Sequence, residues 1–450
     1  MSPREPGLDL RLPETGLLTD HYELTMVRAA LRSGAASRRS VFEVFARQLP
    51  SGRRYGVVAG TGRLLDALER FRFGPAELEF LTRAGIADDP TVEFLQNYRF
   101  GGSIWGYGEG DCYFAGSPIL VVEGTFAEAV VLETVALSIL NHDSAIASAA
   151  SRMVTAAGER PLIEMGSRRT HELSAVAAAR AAYIAGFTTT SNLRAGYQYG
   201  VPTSGTAAHA FTLVHDDEQQ AFAAQLDALG TGTTLLADTY DVPAAIEEAV
   251  RLAGPALGAV RIDSGDLAAA AREVRAQLDQ LGADKTRIVL TGDLDEFSIA
   301  ALAAEPVDGY GVGTSLVTGS GAATAALVYK LVARAVTDAD GAPLLPVAKR
   351  SVGKPSRGGR KWAVRQLDSS GTATTELVTD TEPKDSPAGR PLLRQLVRDG
   401  AIVGRESLTA ARARHQAAVA ELPAHARQLT RGYPSIPTVF RPDRDAGMPH

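Results

Sequence analysis

The chain is poor in cysteine. Its 450 residues contain one, Cys112, and two tryptophans. A single thiol rules out an intramolecular disulfide framework and a multi-cysteine metal site, and it fits a reducing compartment. A basic surplus is missing too: 46 lysines and arginines stand against 52 aspartates and glutamates, for a formal net charge of −6. With no long basic run, nucleic-acid binding is not the main task. The short stretch from Lys349 to Lys361 is the one exception. No uninterrupted apolar run reaches the ~18–20 residues of a membrane-spanning helix. The amino terminus MSPREPGLDLRLPETG lacks the apolar centre of a signal peptide. The expected location is the cytoplasm, with no membrane or nucleic-acid partner.

What is present is 45% hydrophobic content. A chain of this length can bury large cores and, at ~100–200 residues per domain, form two or three domains. Four times between Thr234 and Leu316 an apolar strand runs straight into small and acidic residues: TTLLADTYDV, AVRIDSGDL, RIVLTGDLDEF and DGYGVGTSL. From Asp238 it is 25 residues to Asp263, 30 more to Asp293 and 20 more to Gly313, spacings that fit strand, helix and loop. In parallel α/β folds the ligand sits at the carboxyl ends of the strands, so these clusters predict one active-site rim. Aspartates there accept hydrogen bonds from sugar hydroxyls or hold Mg²⁺, and glycine turns ahead of helices aim N–H groups at phosphate oxygens. A phosphorylated sugar suits both. The plainer alternative is that each aspartate caps the next helix and each glycine permits a tight turn.

Along the chain, Leu17 to Leu31 has helical spacing, with Asp20 as a plausible cap. SVFEVFARQ alternates like a strand, and the glycine-rich segment from Gly52 to Gly62 leads into the helix TGRLLDALERF. Short strands follow between Trp105 and Phe126, then Ala-rich helix from Ala127 to Ala157. Parallel strands are predicted near Leu162, Gly186, Gly205, Leu235, Val260, Ile288 and Gly309, about seven in all. The expected division is an amino-terminal domain over 1–130, a barrel over 131–337 and a carboxy-terminal region over 338–450 that packs back on the first. A helix is predicted over Leu408 to Ala420.

Three further segments carry chemistry. EMGSRRTHE sets Arg168 and Arg169 just past an apolar strand, suited to a carboxylate or phosphate. AGFTTTSNLRAG supplies hydroxyls around Thr189, and PTSGTAAHAF places His209 a few residues beyond a small-residue turn.

The order of these segments is recognisable. LLTDHYELTM, FEVFARQLPSGRRYGVVAGTGRLLDAL, EMGSRRTHE, TTTSNLRAG, SGTAAHAF, VRIDSGDL, LTGDLDE, YGVGTSL and YKLV together resemble the nicotinate phosphoribosyltransferase family, across roughly Leu17 to Lys361. The resemblance implies a type II phosphoribosyltransferase: an α/β sandwich domain, an irregular α/β barrel of about seven strands, and a homodimer with shared active sites. It implies a ligase-type reaction that joins nicotinate to 5-phosphoribosyl-1-pyrophosphate, giving nicotinate mononucleotide and pyrophosphate with Mg²⁺. ATP hydrolysis is coupled through a phosphohistidine in the family, which falls on His209. Tyr22 matches an aromatic that reaches across the dimer to the pyridine ring, Arg168 the arginine near the nicotinate carboxylate, and Thr189 the hydroxyl loop. Arg261 and Asp263, with Ser264 and Gly265 beside them, match the ribose and phosphate contacts. Gly292, Asp293, Gly313 and Thr314 match the cradle of the 5′-phosphate. Lys349, Arg350, Ser351 and Lys354 resemble a basic loop on the ATP and pyrophosphate side.

Two other readings compete. Nicotinamide phosphoribosyltransferase shares the architecture, but paired arginines favour the acid over the amide. A noncatalytic nucleotide-binding homologue would need no phosphoryl acceptor such as His209. Quinolinate phosphoribosyltransferases are typically much shorter.

Overall fold

The strand Arg39–Ala46 reads RSVFEVFA and is buried at every position after the first, so both of its faces need cover. It runs antiparallel between Leu120–Thr125 and Leu327–Ala335 at the centre of a seven-stranded sheet. In order, the strands of this sheet are Leu344–Pro346, Leu327–Ala335, Arg39–Ala46, Leu120–Thr125, Ser103–Tyr107, Leu393–Arg398 and Ala401–Ile402. Side chains alternate between faces. Phe42, Val44 and Ala46 join a large core with Leu24 and Val27 of the helix His21–Ser33, while Val41 joins Val121 and Val332 on the other face. This computed structural model describes residues 14–337, 339, 341–349, 357–383 and 389–441.

The second sheet is parallel and six-stranded, in the order Thr189–Thr190, Leu162–Glu164, Gly309–Val312, Arg287–Leu290, Ala259–Ile262 and Thr234–Leu236. Its last strand in sequence, Gly309–Val312, pairs with its first, Leu162–Glu164, so the sheet wraps. The wrap stays open between Thr189–Thr190 and Thr234–Leu236. The mixed α/β architecture is therefore the expected one, with one correction: no strand forms near Gly205. A single parallel bridge, Thr190 to Thr203, is all that extends that edge. SGTAA offers no apolar run to bury, and its Thr206 hydroxyl and Ala207 carbonyl instead accept hydrogen bonds from Arg261. The strand expected near Gly186 forms at Thr189–Thr190.

The boundary expected at 337 also moves. Leu327–Ala335 lies in the antiparallel sheet and not in the barrel, because its alternating residues find a partner in Arg39–Ala46. The carboxy-terminal region reaches that sheet through Leu393–Arg398, which pairs with Ser103–Tyr107. It also builds a four-stranded sheet around the buried pair of Arg365 and Glu376. The helix predicted over Leu408–Ala420 forms with those bounds.

Between the two units lies the helix Glu133–Ala157, whose Ser144 and Ser148 hydroxyls accept hydrogen bonds from the backbone N–H groups of Ala59 and Val57. Among the described residues, the stretch Phe126–Ala157 is long and apolar enough to cross a membrane, but most of it is buried inside the protein. It carries Asp143 and Arg152 in ion pairs, which marks a core helix.

Candidate active site

Each acidic cluster divides its labour. The later aspartate caps the following helix: Asp241 accepts from Ala244 N–H, Asp266 from Ala268 and Ala269, Asp295 from Phe297 and Ser298. The earlier one, Asp238, Asp263 or Asp293, is left at the strand end. The capping reading thus holds for the later aspartate of each cluster.

Asp238 is buried. Its Oδ2 accepts hydrogen bonds from Asp263 N–H and Ser264 Oγ, both at 2.8 Å. Its Oδ1 makes no hydrogen bond among the described residues, and lies 3.8 Å from His209 Nε2. Asp263 Oδ2 is 3.9 Å from the same nitrogen, and its Oδ1 accepts from the Thr291 hydroxyl. Nδ1 of His209 stands 3.3 Å from Thr239 Oγ1. The imidazole opens the short helix His209–Leu213 and is 41% exposed, so one edge faces two carboxylates while the ring remains reachable from outside. Arg261 Nη2 lies 3.8 Å from Asp263 Oδ1. Burial pulls the Arg261 guanidinium below its ordinary range, Asp263 and Asp238 oppose that shift, and the charge of Arg168 adds to it.

The glycine turns are of two kinds. Gly292 has φ +112°, and a Cβ there would stand 2.4 Å from the Asp263 carbonyl oxygen, so no other residue fits. Asp293 follows at φ +44°. Gly313 differs: a Cβ would meet nothing closer than Met165 O at 3.5 Å. The protein leaves room in front of it, and Thr314 begins the helix Thr314–Val317. Gly265 turns at φ +83° in the exposed loop after Asp263.

On the first strands, Glu164 is buried, accepting from Gly166 N–H at 2.5 Å and from the Thr190 hydroxyl. Burial pushes its carboxyl up, against those two donors. Thr189 Oγ1 lies 2.7 Å from Ser204 Oγ. Arg168 is exposed in the turn Ser167–Arg169. Among the described residues no three His, Cys, Asp or Glu side chains converge to hold a metal ion.

Residues 17–141 match the family described as nicotinate phosphoribosyltransferase (NAPRTase) N-terminal domain. Over 440 residues the chain is 59% identical to nicotinate phosphoribosyltransferase pncB1 of Mycobacterium tuberculosis, covering 94% of each. It belongs to the nicotinate phosphoribosyltransferase family. Another relative, nicotinate phosphoribosyltransferase of Bacillus subtilis, is 36% identical over 326 residues, 70% of this chain and 66% of that one. Human nicotinic acid phosphoribosyltransferase superposes with a TM-score of 0.79 at 27% identity, over 94% of this chain and 97% of the human one. A Pyrococcus furiosus nicotinate-nucleotide pyrophosphorylase, at TM-score 0.74 and 24% identity over 93% and 98%, shares the fold.

For this phosphoribosyltransferase-family chain, the structure gathers His209, Arg261, Asp263 and Ser264 around Asp238, with the turn at Gly292 held under Asp263 and that at Gly313 beside Met165. Tyr22 stands elsewhere, 46% exposed on the helix His21–Ser33 of the antiparallel unit. There burial, with Glu133 and Glu23, holds its hydroxyl well above the usual range. Arg350, Ser351 and Lys354 lie outside the described residues, and Lys349 inside them. Farther along the basic stretch, Arg357 and Lys361 line a cleft of about 700 Å³ with Arg47 and Phe440. The sequence reading put Asp238 on the rim without a task of its own and passed over Thr206, Thr239 and Thr291. The signal was there for Asp238, the first of two aspartates after a strand.

Proposed function

We propose that the chain is a nicotinate phosphoribosyltransferase that joins nicotinate to 5-phosphoribosyl-1-pyrophosphate, releasing pyrophosphate and nicotinate mononucleotide. The observation that carries this reading is the 59% identity over 94% of both chains. The barrel-end cluster of His209, Asp238, Asp263 and Arg261 supports it chemically. Arg168, exposed at the rim, takes the carboxylate of nicotinate by charge-assisted hydrogen bonds. The turns Gly292–Asp293 and Gly313–Thr314 take the 5′-phosphate through backbone N–H groups, with Thr189 closing the hydroxyl-lined side. Ser264 and Gly265 lie over the ribose.

As pyrophosphate departs, positive charge grows on the ribose. Asp263 stands where it can stabilise that charge, and Arg261 balances the leaving group, so the acceleration comes from positioning and preorganised charge. Asp263 is the chain's own carboxylate that would face a Mg²⁺ ion bound with the diphosphate, and such an ion would supply neutralisation of the diphosphate oxygens.

ATP enters as a co-substrate. A ring nitrogen of His209 attacks the γ-phosphorus, ADP leaves, and water later cleaves the phosphohistidine. Asp238 and Asp263 orient the ring for this. The active form is a cytoplasmic homodimer in which Tyr22 of the partner subunit covers the pyridine ring. Leu193, Tyr197, Leu213, Val214 and Tyr240 are exposed and suit burial against a second copy.

Two labels test the reading. With [¹⁴C]nicotinate, the sugar diphosphate and ATP, labelled mononucleotide should form, and nicotinamide should not replace nicotinate. With γ-labelled ATP the chain should acquire an acid-labile, base-stable phosphate that His209→Ala abolishes. No product from nicotinate overturns the activity. Label persisting in the variant overturns the role of His209 alone.

A further inference from the structure

The segment PSGRRYG sits far in sequence from the phosphate turns, yet Arg53 bonds to a residue just past each of them, Glu296 and Gly319. Glu296, three residues past Asp293, is 2% exposed. Its Oε1 is 3.0 Å from Arg152 Nε and 3.5 Å from Arg53 Nη1, and its Oε2 accepts from Ser320 Oγ at 2.5 Å. Arg53 Nη2 also donates to the Gly319 carbonyl at 2.6 Å. Gly319 and Ser320 are bonded back to the second turn, through Gly319 N–H to Leu316 O at 2.9 Å and Ser320 N–H to Ser315 O at 2.6 Å. A closed ring of hydrogen bonds therefore fastens the loop holding Gly292 and Asp293 to the loop holding Gly313 and Thr314.

Stability alone does not explain it. Burying two guanidinium groups and one carboxylate is costly, and apolar residues of similar volume often stabilise as well or better. Arg53 is 5% and Arg152 8% exposed, and burial lowers the Arg53 guanidinium, helped by the like charge of Arg152. What such a cluster does supply is directional bonding that fixes one arrangement of the segments it joins. Here the arrangement is the spacing of two anion-binding turns, and the surplus positive charge lies on their protein side.

We propose that Glu296, tied through Arg53 and Ser320, is a positioning residue that fixes the distance between the two glycine turns and thereby sets affinity for the phosphate of the substrate and product. It rests on the activity proposed above. It acts on the phosphate end of the ligand and not on the pyridine end, where Arg168 lies.

Calorimetric titration of nicotinate mononucleotide and of free nicotinate, with thermal melts, tests it on Glu296→Gln and Ser320→Gly. Ser320 has φ +50°, a conformation glycine adopts freely, so Ser320→Gly removes the CH2OH group without straining the turn. Loss of a charge-assisted hydrogen bond at Glu296 should weaken the mononucleotide by about tenfold while nicotinate changes less than twofold. Ser320→Gly should give a smaller loss with the same selectivity and an unchanged melt, and stands as the test if Glu296→Gln does not fold. Unchanged mononucleotide affinity, or equal losses for both ligands, overturns the proposal. A wild-type chain that fails to bind the mononucleotide overturns the enzymatic reading and this one with it. Wild-type binding with unaffected variants overturns this one alone.

Discussion

Asp238 holds Asp263 in place: one carboxylate oxygen accepts from the Asp263 backbone N–H at 2.8 Å, and the same oxygen takes the Ser264 hydroxyl at 2.8 Å. The loop that carries the proposed ribose contacts is therefore bonded to the neighbouring strand end, and His209 leans on both carboxylates. Asp238→Ala should leave two donors unpaired and free the loop. We expect kcat/KM to fall by at least about a hundredfold and stability to drop by about 1–3 kcal/mol. Steady-state kinetics beside a urea melt would check both, and near wild-type turnover would remove Asp238 from the site.

The two glycine turns should respond differently to a methyl group. At Gly292 a Cβ collides with the Asp263 carbonyl at 2.4 Å in a backbone that favours glycine, so Gly292→Ala should destabilise the fold by about 2–3 kcal/mol. At Gly313 the nearest atom is 3.5 Å away. Gly313→Ala should be the better tolerated of the two in a melt, yet lose about tenfold in mononucleotide affinity by blocking close approach of the phosphate. Full affinity in a folded Gly313→Ala protein would make that turn purely structural.

How much of this was legible in the sequence depended on range. The strand-end clusters were readable because strand, turn and cap all lie within about ten residues, where periodicity and cap chemistry act. Within each cluster, however, the aspartate that caps and the one that faces the rim have the same side chain, and only the fold separates Asp263 from Asp266. Leu327–Ala335 alternates as a strand anywhere would, so its sequence did not say which sheet takes it. Its partner is Arg39–Ala46, 281 to 294 residues away in the paired register. The link of Arg53 to Glu296 spans 243 residues and no local pattern announces it. At Gly205 the small residues that suggested a strand end lack the apolar run a strand needs, and the segment is a loop around Arg261.

Glu218 gives the site a pH signature. Its Oε1 is buried without a hydrogen-bond partner among the described residues, and burial, with the carboxylates of Asp238, Asp241 and Glu248, pushes its carboxyl from an ordinary 4.5 up to about 7. Between those values the folded chain binds more protons than the unfolded one, so stability falls as pH rises. Glu218→Gln cannot ionise. Relative to wild type it should gain about 1 kcal/mol between pH 5 and pH 8, well short of the full shift because the group is partly solvated. Denaturant melts across that range would show the gap opening with pH, and a gap independent of pH would mean Glu218 is ionised throughout.

Tyr22 lies on the helix His21–Ser33 with its hydroxyl beside Glu133 and Thr134, whereas Asp263 follows the parallel-sheet strand Ala259–Ile262. If the aromatic acts on the second protomer's pocket, each site of a homodimer draws Tyr22 from one chain and Asp263 from the other. Tyr22→Ala and Asp263→Ala homodimers should each be nearly inactive, because every site in them lacks one residue. Mixed after subunit exchange, half the dimers in an equimolar pool are heterodimers, and each of these has one site with both residues intact and one with neither. Random pairing therefore predicts recovery of about a quarter of wild-type turnover per site, with independent sites. Exchange would be followed with two distinguishable affinity tags, so that recovery is read on dimers known to be mixed. Heterodimers that form and stay inactive would put Tyr22 and Asp263 in the site of one chain and overturn the shared-site reading, whereas an active Tyr22→Ala homodimer would place Tyr22 outside the reaction.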